Sequence, residues 1–496
     1  MSKSKSFIYQ LPIKIERYQE NILLKRFEAA RQLYNACLGF SLKKRKHMVK
    51  NSLYKEAIEI YKKDKKKAKP IFKELAELYR FSEYEVHKYV TKIRNSQFSH
   101  LIDSNTAQKI ASRAFKSVEE FHYKKRGKPR FKSFGQLKSV EGKSNKTGIR
   151  FIDGKLIWNK LTLDLYFDKK DTHGIEAHAL NSPVKYCRIV AKKIRKKPRY
   201  FLQLILKGSP KIKEKDVVNK GIVGLDLGPQ SIAVVSNNGS VLKIFAEDVL
   251  RTIKDKKKIQ KSLARKLRIN NPDNFENNFY IKKDKHVKKK LGKMKKDKKD
   301  WVFSKNYLRE KERLAELERK NKEKRKESHN RLAKQLLLLG NEFKMEKISY
   351  KAWQKMFGKS IGAKSPGLFV EILKRKAENA GGSVYEFKTY TTALSQMCIC
   401  GLKKKKTLSQ RFHSCDCGIL AQRDLFSAFL ALFVDNDTLD LKKASKAFSG
   451  VEHGLVSAVL NLKDLNASDL KLLGIKYSEI ENLVDKFQTK QLCQYN

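Results

Sequence analysis

GIVGLDLGPQSIAVVSNNGSVLKIF, residues 221–245, holds three short apolar runs. Asn238-Gly239, between the second and third, is a strong hairpin signal, because that dipeptide takes up the positive φ angles that two-residue hairpin turns need. The stretch therefore predicts consecutive strands, with Asp226 in the middle of the first. Leu225 and Leu227 flank it and anchor the strand, and Gly228 leaves room nearby. Downstream, EFKMEKIS (342–349) and SVYEF (383–387) read as further strands. Between them GLFVEILKRKAENAGG (367–382) reads as a helix with glycines past its C-terminus. Strands alternating with helices make this half of the chain α/β.

Residues 247–340 interrupt that pattern. They are mostly helical and highly charged, with a narrow apolar stripe at Tyr307, Leu314 and Leu317, and they are expected as an extended helical hairpin inserted into the domain. The segment 281–300 contains eleven lysines, too many like charges to close on themselves. Toward the N-terminus, SFIYQLPIKI (6–15) reads as a strand. Leu23, Phe27, Ala30, Tyr34 and Cys37 then step along one helical face, as do Ala107, Ala111, Ala114, Val118 and Phe121 after a cap at Asp103 or Ser104. The lysine run YKKDKKKAK (61–69) is a solvated face. GIRFIDGKLIWNKLTLDLYF (148–167) and RYFLQLILKG (199–208) are rich in β-branched and aromatic residues and predict strands of a small barrel. GSPKIKEKDVVNK (208–220) reads as a linker.

Charge sets the class of partner. Among 496 residues, 111 Lys and Arg face 52 Asp and Glu, a formal net charge of +59, while 40% of the residues are apolar. That apolar share builds cores, so the chain is not a disordered basic tail. An excess of this size repels itself unless a polyanion neutralises it, and nucleic acid does so with release of counterions. A ribosomal or histone-like binder is the plain alternative, and a membrane-surface protein a weaker one. The opening MSKSKSFIYQ lacks an apolar signal core, and no run approaches membrane-spanning length. Together with scattered Cys37, Cys187 and Cys493, this sets the expectation of a cytoplasmic, nucleoid-associated protein with no membrane partner.

The other four cysteines, Cys398, Cys400, Cys415 and Cys417, fall in two pairs fourteen residues apart. Four soft ligands and a loop of that length suit a structural Zn²⁺ ribbon. The step within each pair is Cys-x-Cys rather than Cys-x-x-Cys, which strains a knuckle and leaves a metal-free cluster as the alternative. His413 is a candidate substitute ligand or an ordinary loop histidine. The ribbon would fasten the segment that delivers Asp424 at the start of an apolar helix, with four central lysines toward nucleic acid. Asp226, Glu346 and Asp424 are candidates for a two-metal site, because phosphodiester cleavage needs carboxylates brought together from separate rigid elements. FGKSIGAKSPG (357–367) misses the phosphate-loop spacing and reads as a basic loop on nucleic acid or a plain connector.

GIVGLDLGPQSIAVVS, GNEFKMEKISYKAW and LSQMCICG…LSQRFHSCDCGILAQRDLFSAFLAL resemble the three RuvC motifs and embedded zinc ribbon of the TnpB family, transposon-encoded RNA-guided nucleases related to the compact type V CRISPR effectors. KPRFKS (128–133) and the strand-rich block after it resemble that family's wedge domain. The resemblance implies an RNase H-like (RuvC) nuclease domain with an inserted helical hairpin and zinc ribbon, plus an N-terminal wedge-type β-barrel and a helical recognition domain. The boundaries would be 1–16 and 126–215 for the wedge, 17–125 for recognition, 216–395 and 419–440 for the nuclease, 396–418 for the ribbon, and 441–496 for a C-terminal tail. It further implies Asp226, Glu346 and Asp424 as catalytic Mg²⁺ ligands, and a guide RNA, duplex DNA and its unwound strand as partners. A single chain is expected, with a pair on one guide as the alternative. A nuclease-inactive guided repressor and a DNA transposase are the competing functions. Phe426 departs from the family, which commonly has Asn there.

Overall fold

The computed structural model describes residues 5–195, 197–213, 218–283, 286–297, 300–407 and 409–495. Two compact units divide the chain, Met1–Lys213 and Glu214–Asn496. The boundary falls in the 208–220 stretch read as a linker, part of which (214–217) lies outside the described residues.

The first unit runs β1 (Ser6–Pro12), α1 (Arg17–Lys50), α2 (Ser52–Lys63), α3 (Lys65–Leu78), α4 (Glu83–Ile93), α5 (Ser104–His122), β2 (Ser139–Glu141), β3 (Ile149–Ile152), β4 (Lys155–Trp158), β5 (Leu161–Leu163), α6 (Ile175–Leu180), β6 (Val184–Ile194) and β7 (Lys197–Lys207). The helical faces predicted on α1 and α5 are buried against each other: Leu23, Ala30, Cys37, Ala111, Ala114 and Val118 are all closed to solvent. Asp103 caps α5, accepting from the Thr106 amide. The strands expected as a barrel form two antiparallel sheets, β1-β7-β6-β2 and β3-β4-β5. Both sheets and the helices share one core, with Trp158 and Leu202 at its centre.

The second unit is built on β8 (Ile222–Leu227), β9 (Ser231–Ser236), β10 (Gly239–Ile244), α7 (Glu247–Asn270), β11 (Phe279–Lys283), β12 (His286–Lys290), α8 (Lys305–Leu337), β13 (Glu342–Glu346), α9 (Tyr350–Phe357), α10 (Lys359–Lys364), α11 (Pro366–Asn379), β14 (Ser383–Phe387), α12 (Thr389–Thr392), β15 (Phe412–Ser414), β16 (Leu420–Gln422), α13 (Arg423–Ala431), β17 (Val434–Asp435), β18 (Thr438–Leu439), α14 (Leu441–Leu460), α15 (Ala467–Leu473) and α16 (Tyr477–Tyr495). Its main sheet has the order β10-β9-β8-β13-β14. The first three strands are antiparallel, and β13 and β14 add in parallel. The turn from β9 to β10 is Asn237-Asn238, one residue earlier than expected, because Gly239 already pairs with Ser236 as the first residue of β10, at φ +138°.

Strand alternation gives this sheet two different faces. Val223, Leu225, Leu227, Phe343 and Met345 point into a core with α8 and α11. The intervening Gly224, Asp226, Lys344 and Glu346 occupy the other face, where α13 packs against β8 and β9. The insertion is a pair of long helices, α7 and α8, linked by ion pairs such as Lys256 to Glu318 at 2.7 Å. Its lysine-rich connection carries a two-stranded ribbon, β11–β12, in place of a purely helical hairpin; Asp284, Lys285, Lys298 and Lys299 lie outside the described residues. Residues 441–496, expected as a tail, contribute Phe448, Leu455, Val459, Leu470 and Ile480 to the core around α13. Among the described residues no helix is long and apolar enough to cross a membrane.

Candidate nuclease and metal sites

Glycine sets the position of α13. A Cβ at Gly224 would lie 1.9 Å from the Ala428 carbonyl oxygen, so only glycine lets the helix backbone lie this close to β8. Gly228, read from the sequence as the residue that leaves room, instead sits in the turn after β8, where its amide donates to the Ser231 carbonyl at 2.9 Å. Gln422 caps α13 by accepting from the Leu425 amide at 2.7 Å, which puts Asp424 in the first turn. Lys344 holds the far end, donating to the Leu432 carbonyl at 3.1 Å and to Asp435 at 2.7 Å.

On this frame Asp226 stands mid-strand on β8, directly across from Ala233 of β9. Glu346 ends β13, one residue beyond the Met345–Leu225 pair, so it comes level with Asp226 on the same face. Asp424 approaches from the helix. Burial holds the Asp226 carboxyl well above the usual carboxylate range, and the charges of Asp424 and then Glu346 push it further. The nearby Arg423 guanidinium and a hydrogen bond with Ser427 pull the other way. Glu346 is raised to about 7 by burial. All three sequence candidates thus share one electrostatic neighbourhood.

Asp424 has partners of its own. Arg423 donates to its Oδ1 through Nε at 3.1 Å and Nη2 at 3.0 Å, Arg411 stands 3.9 Å from Oδ2, and Ser231 donates at 3.4 Å. Arg423 also donates to the Gln410 and Thr407 carbonyls, tying the loop before β15 to the carboxylate. The sequence analysis gave Arg423, next to Asp424, no role, and it missed Arg411, Ser231, Ser427 and Gly224. Adjacency was the one visible signal; the others depend on packing.

The four ribbon cysteines come together. Their ligand atoms all lie within 4.8 Å of one another, with Cys398 Sγ 3.5 Å from Cys417 Sγ and Cys400 Sγ 3.6 Å from Cys415 Sγ. Four Zn–S bonds of about 2.3 Å in a tetrahedron place sulfurs roughly 3.8 Å apart, so these thiols can hold one zinc ion. The short Cys-x-Cys step is accommodated by a repeated turn. Cys398 and Cys415 each donate their amide at 3.0 Å, to the Leu402 and Ile419 carbonyls, and Gly401 and Gly418 donate back to the two cysteines' carbonyls. Those glycines sit at φ +90° and +89°, a region closed to most side chains. The glycine after each pair was readable in the sequence.

Among the described residues, the cysteines are the group of His, Cys, Asp and Glu placed to share an ion; the three carboxylates do not form such a group. His413 is not in the cluster either. It is buried and stacks on Phe426 at 4.5 Å, and burial lowers its imidazole to about 4. Phe426, the departure from the family pattern, also meets Phe429 and Phe448. In the 357–367 stretch Lys364 is not a nucleic-acid contact: it is fully buried and donates to the Gln230 side chain at 2.5 Å. Gln230 lies in the turn between Asp226 and Ser231, so Lys364 braces that turn from inside the core.

No family model matches the chain, and no curated protein matches it. Among solved structures it is similar to a Cas12f1–sgRNA–target DNA complex, at 16% identity and a TM-score of 0.47, over 88% of this chain and 100% of that one. A CRISPR–Cas12f ternary complex is similar at 14% identity and a TM-score of 0.29, over 85% of this chain and 82% of that one.

Proposed function

We propose that the chain is an RNA-guided DNA endonuclease whose 214–496 unit is an RNase H-like, RuvC-type nuclease. The observation that carries this reading is the convergence on Asp226, from β8, of charges from Glu346 on β13 and Asp424 on α13. The 3-2-1-4-5 order of the sheet, with the first three strands antiparallel, and the motif resemblance support it.

Mg²⁺ fits the residues present. The donors are hard oxygens; burial raises both Asp226 and Glu346, and at Asp226 the charges of Asp424 and Glu346 add to it, so a cation there would relieve both. Mg²⁺ keeps several waters, so its carboxylate ligands need not touch one another. Held by Asp226, Glu346 and Asp424, such ions would supply Lewis-acid stabilisation of the charge that develops on the phosphate. The protein's own part is positional. The paired strands fix Asp226 and Glu346, and Ser231, Arg411 and Arg423 orient Asp424. The +59 charge supports a guide RNA and target DNA as partners, with base pairing reading sequence and protein reading backbone.

The test is direct. The full chain is purified with its co-purifying RNA, which is sequenced and used to design a matching DNA target. Asp226→Ala and Glu346→Ala should lower cutting by at least about 10³-fold while guide and target binding stay within about twofold. Cutting that survives either change refutes the site; guided binding by a wild-type chain that never cuts selects the repressor. A transposon-end transcript among the co-purified RNA assigns the chain to the TnpB-like group, and a repeat-spacer transcript to the CRISPR effectors.

A further inference from the structure

The first unit contains a cavity of about 180 Å³ that no nuclease role uses. Leu24 and Phe27 of α1, Leu137, Phe134 and Tyr200 give it apolar and aromatic walls, and Lys138 and Lys193 are among the charged residues that line it. Phe134 is 79% exposed and Leu24 47% exposed, so both can be reached by a ligand at the cavity mouth. The loop that presents Phe134 is fastened in advance. Arg31 donates to the Lys132 carbonyl at 2.7 Å, Asn35 donates to the same oxygen at 2.9 Å, and the Lys132 amide donates back to Asn35 at 2.9 Å. Tyr200 packs edge-on against Phe27 on the inner side.

Size and chemistry select the occupant. An apolar cavity of about 150 Å³ takes up a benzene ring, so this one suits a single six-membered ring with exocyclic groups and is tight for a fused bicycle. Glu28 lies in the wall, held by Arg31 at 2.9 Å, which keeps its carboxyl below the usual range and therefore an acceptor only. Both oxygens already accept from Arg31 and one from Gln32, so a base N–H would add to these bonds through a remaining lone pair. Lysines at the same site suit a ligand with phosphates attached.

We propose that this cavity binds one unstacked pyrimidine nucleotide of a single-stranded RNA, with the base stacked on Phe134, an N–H of the base donated to Glu28, and the flanking phosphates met by Lys138 and Lys193. The proposal deepens the guide-RNA reading and rests on it for the identity of the strand, but not on cleavage.

The experiment uses the full-length Asp226→Ala chain and single-stranded RNA carrying 4-thiouridine or, separately, 6-thioguanosine, with ultraviolet crosslinking and mapping of the attached peptide by mass spectrometry. The 4-thiouridine probe should attach to the stretches holding Phe134 or Leu24–Glu28, at least about tenfold more than the purine probe does. Phe134→Ala, at an exposed position, should lower that crosslink by about tenfold. Ala191→Phe, which fills the cavity from β6, should do the same; its thermal unfolding is recorded alongside. Crosslinks that map elsewhere, or equal yields from both probes, or yields unmoved by Phe134→Ala, overturn the proposal. Absence of cutting by the unmutated chain with this crosslink intact would instead refute the nuclease reading alone.

Discussion

Gly224 is as constrained as the carboxylates it helps to gather. Gly224→Ala puts a methyl group onto the Ala428 carbonyl, and neither backbone can yield without separating α13 from β8. The expected cost is about 1–3 kcal/mol, with cutting reduced because Asp424 moves with the helix. Gly450→Ala, on α14 with nothing within 4 Å, is the matched control and should be neutral or stabilise by about 0.5–1 kcal/mol. Thermal unfolding and a cleavage assay on both variants check the pair. His122, at the end of α5, gives a second residue-scale test. Burial first, then the Arg45 charge, lowers its imidazole to about 4, and it packs among Tyr54, Phe81 and Tyr123. Between pH 6.5 and 4 the unfolded chain therefore binds a proton that the folded chain refuses. Its contribution is complete above pH 6.5 and is lost as pH falls, by about 3 kcal/mol at pH 4. His122→Phe should flatten the pH dependence of unfolding over that window.

At the scale of elements, β8, β9, β10, β13, β14 and α11 were legible because each shows its own period and ends at a turn or cap signal. Asp226, Glu346 and Asp424 were legible as candidates through their order along those elements and the motif resemblance. The ribbon β11–β12 was not, because a run of lysines carries charge but no hydrophobic period. The helices from 441 onward were read as a tail for a related reason: the apolar face of α14 acquires meaning only from Phe426 and Phe429, which it covers. Lys364 misled because a lysine in a glycine-containing stretch looks solvated, and the Gln230 partner that permits its burial lies 134 residues away. The cysteine ribbon, joined to α13 through Arg423, makes an element-scale prediction. Purified chain should carry one zinc. Cys415→Ser should lower the zinc content and the thermal midpoint together, and strip order from the loop that Arg423 holds to Asp424, so cutting should fall as well. Metal analysis and unfolding scans decide it; full stability with no zinc bound would sink the ribbon's structural role.

For the whole molecule, an excess of +59 in 496 residues has to be expressed as salt dependence if nucleic acid is what neutralises it. Each phosphate neutralised returns condensed counterions to solution, so affinity falls along a straight line in log salt, with a slope of about −0.7 per contact for single strands and −0.9 for duplex. A chain making six to ten such contacts loses roughly 10³–10⁵ in affinity between 50 and 200 mM salt. Guide RNA and DNA titrations over that range should give lines this steep. Lys138→Ala, at an exposed position, should flatten the single-strand slope by about 0.7 and weaken all sequences alike. Phe134→Ala should leave the slope unchanged, because stacking releases no counterions. A shallow line for the unmutated chain would mean that its lysines are solvated faces and that the charge is there for some purpose other than holding a polyanion.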